Sequence, residues 1–367
     1  MNEFQIPELF YPFAPVLHPH TLEAERRNLA RWAKRLGLSP NDKAYLKLSR
    51  CQFAHFIGRC HPSASLEDLE LAVDFVTWFF LWDDQFDQRV GGELAHPFWV
   101  ATQNALALQV LDGESPNSDS SPLLWALLKL REGLVARMPT SLFCRLVSHL
   151  SDYFNVTLQE LEARRNGECP SVDSYICMRL LTSGVFVVSP LIEMIEDAHL
   201  PKHVWLSEQV QSLFQAANNV MGWSNDLFSL ANDLQDEGHL NIVISLRHHQ
   251  GLELQQAVTE AAEMHNSEVR RFLQVERELP GFGRDSGAVS RFLRGLRRWM
   301  RANLDWSILT GRYQPDTSDS LAPSADLDLA SLRGCEACPP DESITRAAPS
   351  AALLGPLPPP QQGPHPS

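Results

Sequence analysis

Phe75-Val-Thr-Trp-Phe-Phe-Leu-Trp-Asp-Asp-Gln-Phe-Asp87 sets three carboxylates on the end of a strongly apolar and aromatic run. A helix closing near Gly91-Gly92 would crowd those acids into its last turns, where the macrodipole already carries partial negative charge. Like charges this close disfavour joint ionisation, so the cluster asks for a bound cation. Residues four apart are displaced by only about 40° around a helix, so Asp83 and Asp87 share a face and Asp84 flanks it. The helix has its own start signal in Ser65-Leu-Glu-Asp68, which reads as a capping box.

Working outward, the periodicity is helical throughout. Thr21-Leu-Glu-Ala-Glu opens a helix through Leu36, stopped by Gly37. Apolar-periodic stretches follow at roughly 93–110, 122–136, 140–165, 171–198, 202–234, 252–279 and 286–310. No run of strict alternation interrupts them, and the expected class is all-α, one domain with buried central helices. The polar stretch 112–122 reads as a loop. From Gln314 onward the chain holds 11 of its 25 prolines and seven acids against two arginines. Such a segment cannot bury enough apolar surface to offset its ordering entropy, so 1–313 is expected to be the folded domain and 314–367 a disordered tail.

Composition narrows the function. A net charge of −14 repels nucleic acid and anionic membranes, so an anionic substrate would need metal ions or local arginines. The start Met1-Asn-Glu-Phe-Gln lacks a basic n-region and an apolar h-region, and no apolar run approaches the roughly 20 residues of a membrane span. A cytoplasmic location without membrane insertion is expected. Seven scattered cysteines suit reduced thiols, and Cys335-Glu-Ala-Cys338 has no second Cys or His pair nearby to complete a zinc site. The histidines show no convergent metal spacing, and there is no Gly-rich phosphate loop.

A second constellation lies at Asn225-Asp-Leu-Phe-Ser229-Leu-Ala-Asn-Asp233. Steps of four line up an amide oxygen, a hydroxyl and a carboxylate along one side of a mostly apolar helix. All are hard oxygen donors, matching Mg²⁺ or Mn²⁺ and arguing against zinc. Arg179, 46 residues before Asn225, and Arg312-Tyr313, just after Trp306, complete the pattern.

With these motifs in this order, the chain resembles a bacterial-type class I terpene synthase over roughly residues 8–313. The resemblance implies a single antiparallel α-helical bundle around a deep apolar pocket, with the two metal motifs facing each other across its mouth. It further implies that Asp83, Asp84 and Asp87, and opposite them Asn225, Ser229 and Asp233, hold Mg²⁺, three ions in all, together with the substrate diphosphate. Arg179 would match the diphosphate-sensing arginine, Thr182 and Ser183 the linker and effector positions, and Arg312 and Tyr313 the donors that close over the diphosphate. Phe79, Phe80 and Trp306 are candidates for the pocket wall, where aromatic faces stabilise cationic carbons. Two positions depart from the family pattern: Asp233 stands where glutamate is usual, and Asn232 where a diphosphate-binding lysine is common. The implied activity is Mg²⁺-dependent ionisation and cyclisation of a linear prenyl diphosphate, with the C15 farnesyl chain favoured over C10 or C20, in a monomer or homodimer. A chain-elongating prenyltransferase and a non-catalytic prenyl-diphosphate-binding protein are the rival expectations.

Overall fold

The computed structural model describes residues 4–87, 94–235 and 240–313, with only the backbone described at Asp87. The expected tail 314–367, Gly91-Gly92 and the Cys335/Cys338 pair lie outside the described residues. Among the described residues there are fourteen α-helices and no strand. In chain order these are α1 (Thr21–Arg35), α2 (Lys43–Cys51), α3 (Phe53–Cys60), α4 (Leu66–Asp87), α5 (Pro97–Asp112), α6 (Pro122–Arg137) and α7 (Thr140–Asn166). They continue with α8 (Val172–Thr182), α9 (Val185–Ile195), α10 (Lys202–Trp205), α11 (Glu208–Asp233), α12 (Ile242–Gln250), α13 (Leu254–Arg277) and α14 (Ser286–Leu309).

The bundle is organised around α4 and α11. α4 packs on α1, α3 and α6, while α11 packs on α8, α13 and α14. α4 begins as expected, with Ser65 Oγ accepting from the Asp68 N–H at 3.1 Å. Its Phe75, Trp78 and Trp82 are completely buried. Burying an indole strands its N–H unless a partner is supplied, and here Leu123 O and Asn104 Oδ1 accept at 3.1 Å each. Asp74 of the same helix is also satisfied, taking two bonds from Arg31 at 2.9 and 3.0 Å and one from Asn28 at 2.8 Å.

The structure corrects the expected segmentation in three places. The stretch 171–198 is two helices, α8 and α9, separated at Gly184, whose φ is +77°. A Cβ there would lie 2.6 Å from Phe79 Cε1, so both the backbone conformation and the packing exclude a side chain. The stretch 202–234 is likewise divided, with Ser207 as N-cap of α11. Third, α2, α3 and α12 were not expected, because helices of nine, eight and nine residues carry too few turns to show a periodic stripe. α2 and α3 are further disguised by the break between them, where Gln52 adopts a left-handed φ of 52°. By length and composition Val172–Ile195 would suffice to cross a membrane, but half of the window is buried in the bundle.

Glu25 on α1 holds the start of α3, accepting from the Ala54 N–H at 2.9 Å. Burial nevertheless pushes its carboxyl up to about 7 from an ordinary 4.5. The folded state therefore favours the protonated acid, and the penalty for ionising it grows as pH rises from 4.5 through 7. Glu25→Gln, which keeps an acceptor without the charge, is expected to match wild type near pH 4.5 and to be more stable at pH 8 by up to about 3 kcal/mol. Urea denaturation at the two pH values checks this; a variant less stable at pH 8 would contradict it.

Candidate active site

A cavity of about 380 Å³ opens at one end of the bundle. All thirteen candidate residues with described side chains line it: Phe79, Phe80, Asp83, Asp84, Arg179, Thr182, Ser183, Asn225, Ser229, Asp233, Trp306, Arg312 and Tyr313. The fourteenth, Asp87, falls in the last turn of α4, and its side chain lies outside the described residues. The two oxygen-rich motifs, far apart in the chain, therefore share one hollow.

α4 supplies one rim. Asp83 Oδ1 accepts from the Tyr153 hydroxyl of α7, and the Tyr153 ring lies 4.8 Å from that of Phe79. Asp84 receives two N–H bonds from Arg312, one of them at 2.9 Å. Burial would by itself raise the Asp84 pKa, but the guanidinium overrides it and holds the carboxyl below its ordinary value. The same pairing, working against burial, keeps Arg312 firmly protonated. The Arg312 guanidinium also lies over the Phe80 ring, 4.9 Å from its centroid.

α11 supplies the opposite rim. Ser229 Oγ donates to Asp233 Oδ2 at 2.7 Å, so the steps of four do bring those side chains together. Asn225 Oδ1 accepts from Arg179 at 2.8 Å, and its amide donates to the Tyr313 hydroxyl at 2.5 Å. The last two described residues therefore tie the rims together, Arg312 reaching α4 and Tyr313 reaching α11. Asn232 donates to the Arg312 carbonyl at 3.3 Å and lines the mouth without charge.

Below the rim the structure adds residues that the sequence did not single out. Asp226, buried beside Asn225, pairs with Arg179 at 2.8 Å and accepts from the Tyr175 hydroxyl at 2.6 Å and the Ile242 N–H at 3.2 Å. Both of its oxygens are thus bonded to protein groups. Burial is the largest single influence on Arg179 and lowers its pKa, but the charge of Asp226 together with Tyr175, Glu160 and Asp233 outweighs it, so the guanidinium stays charged inside the bundle. Asn241, the N-cap of α12, donates to Asp233 Oδ2 and to the Asp226 carbonyl, both at 2.8 Å. Asn218 donates to the Leu180 carbonyl at 2.6 Å and accepts from the Ser183 hydroxyl, holding the α8–α9 break against α11. Tyr175 was legible in principle, one helical turn before Arg179; Tyr153 and Asn218 carry no sequence signal.

The cavity wall is aromatic and aliphatic. Trp306 is fully buried, stacks on Phe56 at 4.9 Å and donates its indole N–H to Cys51 O at 2.7 Å. Phe80 tilts against it at 5.6 Å. The rim offers carboxylate, amide and hydroxyl oxygens, the donor chemistry of a hard divalent cation, and each oxygen-rich motif stands beside an arginine suited to an anion.

Residues 74–271 match the family model described as terpene synthase family 2, C-terminal metal binding. The chain belongs to the terpene synthase family. It is 32% identical to a (+)-T-muurolol synthase ((2E,6E)-farnesyl diphosphate cyclizing) of Roseiflexus castenholzii, over 84% of this chain and 93% of that one. It is 28% identical to a germacrene A synthase of Nostoc punctiforme, over 85% and 96% of the two chains. Among solved structures, the linalool/nerolidol synthase from Streptomyces clavuligerus in complex with 2-fluorogeranyl diphosphate superposes with a TM-score of 0.70 at 25% identity, covering 82% of this terpene synthase and 98% of that chain. Wild-type cucumene synthase gives 0.67 at 27% identity over 82% and 99%. The matched family domain is a metal-binding one, and it contains α11 entire and α4 from Asp74 onward.

Proposed function

We propose that this terpene synthase ionises farnesyl diphosphate and cyclises the resulting cation to a sesquiterpene, releasing diphosphate. The observation that carries the reading is the meeting of both oxygen-donor motifs and two arginines at the mouth of one apolar cavity. Its size, about 380 Å³, lies within the range of small-molecule pockets, roughly 300–1,000 Å³.

In this reading Asp83, Asn225, Ser229 and Asp233, with Asp84 and Asp87 beside Asp83, hold Mg²⁺, three ions in all with the diphosphate. Bound Mg²⁺ would supply Lewis-acid neutralisation of the charge that grows on the leaving group. Arg179 and Arg312 present planar forks of N–H donors to diphosphate oxygens, and the Tyr313 hydroxyl adds a third donor on the same side. Thr182 and Ser183 sit at the α8–α9 break, one turn after Arg179, where they would pass a shift of the guanidinium on to the cavity. The allylic C–O bond breaks heterolytically, its electron pair leaving with the diphosphate oxygen. Phe79, Phe80 and Trp306 then face the carbocation with π-clouds, each stabilising it by about 0.5–2 kcal/mol, and exclude the water that would quench it. Loss of a proton, with the departing diphosphate as acceptor, closes the sequence.

Purified protein with farnesyl diphosphate and Mg²⁺ is expected to release a volatile C15 hydrocarbon or alcohol, identified by gas chromatography and mass spectrometry. Excess EDTA is expected to abolish it. A longer prenyl diphosphate as product, or no turnover of C10, C15 or C20 substrates, would overturn the reading; undiminished product in EDTA would remove the metal.

A further inference from the structure

Among the described residues, four arginines and lysines line the cavity, and three of them have partners within the protein. Arg179 is held by Asp226 and Asn225, and Arg312 by Asp84. Arg164 is buried and also engaged. The fourth, Lys47 on α2, is exposed at the mouth and takes part in no ion pair or side-chain hydrogen bond among the described residues.

Its place is set by an unusual junction. The helix break at Gln52 leaves the carbonyls at the end of α2 without intrahelical partners. The end of α14 uses them. Cys51 O accepts from Trp306 Nε1 at 2.7 Å and from Thr310 Oγ1 at 3.1 Å, and Arg50 O accepts from the Gly311 N–H at 3.0 Å. Gly311 permits the approach, because a Cβ there would stand 2.9 Å from Arg50 Cβ. The last turn of α2 is therefore bonded to the residues just before Arg312-Tyr313. Lys47 belongs to that turn, its carbonyl accepting from the Cys51 thiol at 3.4 Å. Asn232, which also lines the mouth, brings no charge.

We propose that Lys47 is a further diphosphate-binding residue, held beside Arg312 by the α2–α14 junction and supplying the mouth with an uncommitted positive charge. A lysine suits the position. Its four-carbon stem and three rotatable donors follow an anion that changes place as the C–O bond lengthens, where a paired arginine fork is fixed. The net charge of −14 and the carboxylates on both rims make each uncommitted cation at the mouth count for anion capture.

The inference rests on the diphosphate reading given above, and inorganic diphosphate is the probe that separates the two. In the full chain with Mg²⁺, Lys47→Ala is expected to raise both the KM for farnesyl diphosphate and the inhibition constant of inorganic diphosphate about fivefold. Melting temperature and product mixture should be those of wild type, and Lys47→Arg should restore both constants. The increase should shrink in high salt, as for any exposed charge. Wild-type inhibition by diphosphate with an unchanged inhibition constant in Lys47→Ala would overturn the inference alone. A wild-type protein indifferent to both diphosphates would overturn the reading beneath it as well.

Discussion

Asp83→Asn is expected to lower kcat/KM for farnesyl diphosphate by about 10²–10³-fold while the protein stays folded, the size of losing one well-placed group that stabilises developing charge. Asparagine retains an oxygen that can accept from the Tyr153 hydroxyl, so the substitution removes charge without orphaning that donor. Asp83→Ala removes both, and losing the hydrogen bond from Tyr153 to a charged acceptor should cost a further roughly 1–3 kcal/mol of stability. Comparing the two variants by turnover and by urea denaturation separates the chemical role from the structural one. Tyr153→Phe completes the comparison, because it breaks the same hydrogen bond and leaves the carboxylate in place. Near-normal kinetics in Asp83→Asn would take the carboxylate out of its proposed role.

The second large effect is expected at Arg179. Removing the guanidinium leaves Asp226 buried with only the Tyr175 hydroxyl and one backbone N–H to offset its charge. Breaking a buried pair from one side typically costs about 3–5 kcal/mol, so Arg179→Met should be strongly destabilised as well as inactive. Arg179→Met with Asp226→Asn removes the stranded charge, and much of the stability should return. Activity should not, because the substrate still lacks its donor. A double variant that regained turnover would reduce Arg179 to a structural residue, and a single variant as stable as wild type would refute the account of the buried pair.

Both predictions concern residues whose chemistry was readable before their surroundings were. The aspartates at 83, 84 and 87 and the Asn225–Ser229–Asp233 stripe were legible because polar groups on apolar helices need a reason, and helical spacing says which of them share a side. Phe79, Phe80 and Trp306 were readable only as aromatic candidates. The α8–α9 break shows the limit of such reading. Residues 171–198 are apolar enough to look continuous, and what divides them is Gly184 meeting the Phe79 ring, a contact between residues 105 positions apart. The α2–α3 pair escaped notice for a related reason, since its left-handed Gln52 is neither glycine nor asparagine and advertises no turn.

The sequence by itself determined the helical class, the two sets of hard oxygen donors and the arginines that accompany them, because these follow from local periodicity and side-chain chemistry. Only the tertiary structure decided that Asp84 is clasped by Arg312 and Asp226 by Arg179, that Tyr153 attends Asp83, and that Lys47 is left uncommitted. Partnership of this kind depends on how helices distant in the chain are packed and which charges that packing removes from water. It is a property of the folded bundle that no local pattern encodes.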